Sequence, residues 1–171
     1  SNEVLKGCMD VVFEHNEDKT VLPPMLTIAT LVLKSGQVTI DFLKSETLKF
    51  FYQLCDLYKQ EPVVLGYLLG VVCTIAFLSR HNLEQLEDFK LAELAVDSLK
   101  AYVKTELVQQ YGAGLLSLYT DVEAYQPMMV ERHALDLFLV AMDNFPSNKD
   151  LVLYSLEGCS NLLDLPDCLK A

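Results

Sequence analysis

An all-α fold is what this 171-residue sequence predicts, and three observations predict it. Apolar residues recur at helical spacing along almost the whole chain. No stretch alternates apolar and polar residues in the manner of a strand. The third observation is the run from Pro62 to Ser79 (PVVLGYLLGVVCTIAFLS), eighteen residues without a charge, closed by Glu61 and Arg80. An apolar run of that length approaches a membrane span, and Gly66 and Gly70 have the small-xxx-small spacing that lets helices approach closely. A helix covered on all sides by other helices accounts for the run equally well at this point.

Taken in order, the chain reads as helices joined by short connections. Asn2 to His15 carries Val4, Leu5, Cys8, Val11 and Val12 on one stripe, with Lys6, Asp10 and Glu14 largely opposite, and the polar cluster from Asn16 to Thr20 ends it. Pro23 and Pro24 suit only a first helical turn, so a second helix is expected from near Val21 to Ser35, with Gly36 at its C-terminal cap. Gln37 to Leu43 reads as one or two turns. Ser45 caps a helix with Leu48, Phe51, Tyr52, Cys55 and Tyr58 on its apolar side. The uncharged run then opens at Glu61-Pro62, and Arg80-His81 closes it with the positive charge a helix C-terminus favours. Asn82 and Gln85 have capping-box spacing ahead of Leu83, Leu86 and Phe89, and a longer helix follows with Leu91, Leu94, Ala95, Leu99 and Tyr102. Leu107 to Tyr119 is the next apolar helix. Pro127 starts another, carrying Met129, Ala134, Leu135, Phe138, Leu139 and Met142 as far as Phe145-Pro146. Ser147 caps the last, from Lys149 to Leu165, which Pro166 stops.

The most apolar helices recur. Gly70, Gly114 and Gly158 are 44 residues apart, and the same step backwards lands on Leu26. The segments LTIATLVLKS, GVVCTIAFLS, GLLSLYTDVE and GCSNLLDLPD line up, each separated from the next by a turn and an amphipathic helix. A period of this length, with two or three helices per unit, resembles that of armadillo and HEAT repeats. Pro62 to Tyr102 looks like one armadillo unit read from its third helix into the first and second of the next, and Asn161 falls where importin- and catenin-type proteins often place a ladder asparagine. The resemblance covers nearly the whole chain. It implies a right-handed α-solenoid of about four units and roughly ten helices, forming a single repeat domain over residues 1–171. The positions equivalent to Asn161 hold Ala29, Cys73 and Ser117, and the chain has no Trp, so the asparagine and tryptophan array that holds basic peptides is not carried over. In a solenoid the third helix is enclosed, which assigns the uncharged run to a protein interior. A membrane span would call for aromatic belts and a Lys/Arg cluster on one flank, whereas Glu61, Glu84, Glu87 and Asp88 lie nearby.

Charge narrows the function. Thirteen Lys and Arg against 24 Asp and Glu give a net charge of −11, a surface that repels phosphate backbones and anionic lipid, so no direct nucleic-acid or membrane partner is expected. Five cysteines (Cys8, Cys55, Cys73, Cys159 and Cys168) include no C-x-x-C pair, and most sit in apolar context. They read as reduced core residues of an intracellular protein, cytoplasmic or nuclear. The chain is 51% hydrophobic, with a mean hydropathy of +0.25, and opens Ser1-Asn2-Glu3 like the scar of a cloning step. A fragment of a longer protein, with some apolar surface bared, is therefore expected.

No catalytic, cofactor or metal constellation is predicted. His15, His81 and His133 lie in different units without a second ligand at i+3 or i+4, and Glu131 and His133 diverge on a helix surface. Tyr111-Gly-Ala-Gly114 lacks the third glycine and the preceding strand of a dinucleotide loop. Two groups remain for a partner. Tyr125, Met128, Met129, Phe138 and Met142 form an aromatic and methionine group that core packing explains and that, where exposed, suits the apolar anchors of a partner helix. Glu84, Glu87 and Asp88, with Glu93 and Asp97, form an acidic run that solvation explains and that could meet a basic partner. The expected function is a non-enzymatic interaction scaffold holding an amphipathic helix or short peptide in an apolar groove with an acidic rim. The alternative is a structural segment that stacks on further repeats or on a second copy.

Overall fold

Ten α-helices carry the chain in the computed structural model, which describes residues 2–35 and 45–163, and no strand occurs among them. They are α1 (Asn2–Glu14), α2 (Leu22–Lys34), α3 (Ser45–Leu57), α4 (Pro62–Leu78), α5 (Arg80–Glu87), α6 (Leu91–Ala101), α7 (Glu106–Thr120), α8 (Gln126–Glu131), α9 (Ala134–Asn144) and α10 (Lys149–Leu163), with a 3-10 turn at Glu123–Tyr125. The all-α expectation holds. Gly36, the turn from Gln37 to Leu43, Pro166 and Cys168 lie outside the described residues. The chain divides into two compact units, Ser1–Leu91 and Ala92–Ala171.

In the first unit the uncharged run is α4, and twelve of its residues, from Val64 to Ala76, are buried. Its two ends emerge, with Val63 and Phe77 exposed. Among the described residues no helix is long and apolar enough to cross a membrane. α2 starts on its two prolines, as their missing N–H groups require, and buries Leu22, Leu26, Ala29, Thr30 and Leu33. It packs against α4 with the same chain direction. At the N-terminal ends Lys19 Nζ meets Glu61 Oε1 at 2.5 Å, and the Tyr58 hydroxyl donates to Asn16 O at 2.6 Å. Towards the other end the Lys34 ammonium is close enough to act on the Cys73 thiol.

Three expectations for this unit need correction. On α1 the buried set is Leu5, Cys8, Met9 and Val12, while Val4 is exposed. The arc 5, 8, 9, 12 is a tighter fit to 3.6 residues per turn, and Val4 falls off its edge. Arg80 and His81 do not close α4; they begin α5. Ser79 is the break, with an extended backbone that ends α4, and its hydroxyl accepts from His81 N at 3.1 Å. Asn82 is therefore no cap. It is buried, and its Nδ2 donates to the Ile75 carbonyl of α4 at 3.0 Å, satisfying one of the acceptors a helix end leaves open.

From Lys90 onwards the chain repeats itself with a step of 43. Lys90 and His133 are the described non-glycine residues with left-handed backbone, at φ 61° and 58°. Each is followed at once by an eleven-residue helix, α6 or α9, and then by a fifteen-residue helix, α7 or α10. The buried residues Val108, Gly112, Leu115, Leu116 and Tyr119 of α7 match Leu151, Ser155, Gly158, Cys159 and Leu162 of α10. Burial therefore pairs Leu115, not Gly114, with Gly158. On α2 and α4, residues 44 apart share one local feature: Thr30 Oγ1 donates to Leu26 O at 2.9 Å, and Thr74 Oγ1 donates to Gly70 O at 2.8 Å, each within its own helix.

Within the second unit α7 and α10 also run in the same direction. Asn148 Nδ2 donates to Glu106 Oε1 at 2.8 Å and to Gln110 Oε1 at 3.0 Å at one end, and Asn161 Nδ2 donates to Thr120 Oγ1 at 3.3 Å at the other. Two further corrections arise here. The single helix expected from Pro127 to Phe145 is two, α8 and α9, because the left-handed turn at His133 cannot continue a right-handed helix. The cap of α10 is Asn148, not Ser147, since its Oδ1 accepts from Leu151 N at 3.0 Å.

Two outcomes follow from this packing. Asn148→Ala removes the cap together with the bonds to α7, and urea unfolding should record a loss of at least about 1 kcal/mol. At Gly158 a methyl group would overlap the ring of Phe138, which is fully buried. Gly158→Ala should therefore cost about 1–3 kcal/mol, and adding Phe138→Leu should lower that cost because the two sites touch.

Candidate functional site

The aromatic and methionine group divides by burial. Met129 on α8 and Phe138 on α9 are fully enclosed in the second unit, Phe138 resting on Gly158. Tyr125, Met128 and Met142 are half-buried. Tyr125 ends the 3-10 turn and sets its ring edge-on to buried Tyr119, with centroids 5.3 Å apart at 71°. α8 follows directly and places Met128 and Met129 on consecutive positions, about 100° apart around the helix, which is why one faces the core and the other its margin.

The acidic run is divided by the two units. Glu84 and Asp88 are exposed and Glu87 half-buried in the first. Glu84 Oε1 accepts from Arg80 Nε at 3.2 Å, one turn away, an exposed pair that adds little to stability. Glu93 and Asp97 belong to the second unit, where Glu93 faces Arg132 at 3.9 Å. His81 sits within α5, its Nε2 2.8 Å from Gln85 Nε2. His133 takes the left-handed turn before α9, with Nδ1 3.9 Å from Asp136 Oδ2.

The described cysteines are buried thiols. Burial pushes Cys73 from an ordinary 9.0 up to about 12, against a smaller opposing pull from Lys34, and it raises Cys55 further still. Cys8 and Cys159 are raised by the same cause. Among the described residues no His, Cys, Asp and Glu cluster could hold a metal. A surface cleft of about 630 Å³ at the α1–α2 turn is lined by Glu14, His15, Asn16, Glu17, Asp18 and Lys19. The Thr20 hydroxyl and amide hold the Asp18 carboxyl below its usual range, and Lys19 is engaged by Glu61, so these charges serve the turn itself.

Bared apolar surface was expected, but the pattern did not place the aliphatic side chains that form it. Ile28 and Leu31 on α2, Leu57 and Val63 in the first unit, and Leu139, Val140, Leu153, Leu156 and Leu163 in the second stand open to solvent. A signal existed on α10: Leu153, Leu156 and Leu163 share a helix side away from Leu151, Ser155 and Leu162, so a second apolar face can be read from spacing alone.

The thiol environments yield a pH expectation. Between pH 9.0 and 12 the unfolded chain releases the Cys73 proton and the folded chain keeps it, so the unfolded state binds fewer protons and stability falls with rising pH. Below that window the effect is absent. Replacing Cys73 with Ala should flatten this alkaline slope in urea midpoints, and native Cys55 and Cys73 should label with a thiol reagent only as fast as the protein opens. No protein-family model, curated protein or solved structure matches this chain.

Proposed function

We propose that this chain is a non-enzymatic protein-interaction scaffold of armadillo or HEAT type, a solenoid of about four units that binds a helical segment of a protein partner. The observation that carries this reading is the parallel pairing of like helices one repeat apart within each unit: α2 with α4, joined through Lys19 and Glu61, and α7 with α10, joined through Asn148 and Asn161. Stacking of this kind builds extended surfaces from short units, and such surfaces accept partner segments. The half-buried Tyr125, Met128 and Met142 supply adaptable apolar contact, which suits the i, i+3, i+4 anchors of an amphipathic helix. Glu84, Glu87 and Asp88 supply negative charge, which favours a partner with basic residues and speeds its approach.

Affinity capture from cell extract with the purified chain tests the reading. One stoichiometric protein should be retained, about tenfold more weakly by Met128→Glu or Met142→Glu. High salt should weaken retention by the share the carboxylates contribute. Retention of no protein, or equal retention by both variants, would overturn it.

A further inference from the structure

Two helix faces stand open where their repeat equivalents are covered. On α7 a stripe runs through Glu106, Gln110, Ala113, Ser117 and Thr120, at the spacing that places residues on one side of a helix. α10 lies along it, with Asn148 bonded to Glu106 and Gln110, and Asn161 bonded to Thr120. Ala113 and Ser117, between those contacts, are buried. The residues one step of 43 later are Lys149, Leu153, Leu156, Ser160 and Leu163. Here the stripe is open: the three leucines are 53%, 55% and 44% exposed. The face by which α7 holds α10 is thus repeated on α10, with leucine in place of Gln110, Ala113 and Thr120.

α2 shows the converse. Aligned on α4 at a step of 44, α2 carries the matching intrahelical bond, Thr30 to Leu26 O where α4 has Thr74 to Gly70 O. Pro24, Ile28 and Leu31 form an exposed stripe on α2, with Leu31 62% exposed, whereas the equivalents Leu68, Val72 and Ile75 on α4 are buried.

We propose that a second copy of this chain covers both faces: the leucine stripe of α10 in one copy receives α2 of the next, laid parallel to it as α10 is laid on α7. The contact joins two different surfaces, so it is head-to-tail and extends a row instead of closing a two-fold pair. Pairing α10 with itself would leave the α2 stripe open. The net charge of −11 on each copy opposes approach, and salt removes that opposition while leaving leucine burial intact. Association therefore tightens as salt rises. The inference rests on the repeat correspondence and not on a foreign partner, so its failure leaves the scaffold reading to its own test.

Sedimentation velocity on the whole chain, from about 10 µM to about 1 mM at low and high salt, tests this. The mean mass should rise with concentration, and severalfold more steeply at high salt. Leu156→Asp and Leu31→Asp, both at exposed positions, should each stay monomeric alone because each lacks one of the two faces. Mixed, they should form a one-to-one dimer that grows no further. A monomeric parent chain at every concentration and salt would overturn the proposal. So would undiminished association of Leu31→Asp, which would assign the contact to α10 alone, or a mixture that stays monomeric.

Discussion

An uncharged helix has to be removed from water, and the first unit is arranged to do that for α4. Its backbone groups bond internally, so the demand falls on its side chains, and a run such as Leu65, Leu68, Leu69, Val71, Val72 and Ile75 has no polar side to turn outward. α2 covers one flank in the same direction, and α3 and α5 also pack against it. The polar groups that remain are held at the ends: Glu61 by Lys19 at the start, and the Ile75 carbonyl by Asn82 at the finish. Thr74, in the middle, returns its hydroxyl to Gly70 O of its own helix. Burial is tolerated because no donor or acceptor of these groups is stranded.

The second unit meets a milder form of the same demand with a different device. α7 is less apolar than α4 and carries polar residues on the side that α10 covers, so that interface is stitched by Asn148, Glu106, Gln110, Asn161 and Thr120. Its other sides admit close approach instead. Gly112 lets Leu99 of α6 come near α7, and Gly158 lets Phe138 of α9 rest on α10, so glycine sits where a neighbouring side chain needs the room of a missing methyl. The left-handed residue His133 sets the entry to α9, as Lys90, at the end of the first unit, does for α6. Such a conformation costs an L-residue about 1–2 kcal/mol, and tertiary packing has to sustain it.

Much of the candidate site was unreadable in the sequence because burial is a property of neighbours. Met128 and Met129 are chemically identical, and only the rotation of α8 against the helices it packs on, α7 and α9, encloses one and leaves the other at the margin. Methionine and aromatic side chains draw attention as adaptable contacts, yet Phe138 is needed in the core, while plain leucines on α10 are left open. The acidic residues lie close together in sequence but belong to two units, and they acquire different partners: Arg80 for Glu84, Arg132 for Glu93.

The sequence by itself determined the helical class, the place of most helix starts and the enclosure of the central run. These follow from local causes: proline at a first turn, the 3.6-residue period, and the absence of any charge between Glu61 and Arg80. Tertiary structure decided the rest. A repeat read from glycines gave a uniform step of 44, whereas packing set 43 between α7 and α10, since register is a matter of which positions face a neighbour and not of residue identity. It decided too that Ser79 divides α4 from α5, that His133 divides α8 from α9, and that Asn148 caps α10. Each is a position where several residues could have served locally, and the choice went to the one whose geometry let the adjoining helices close on their cores.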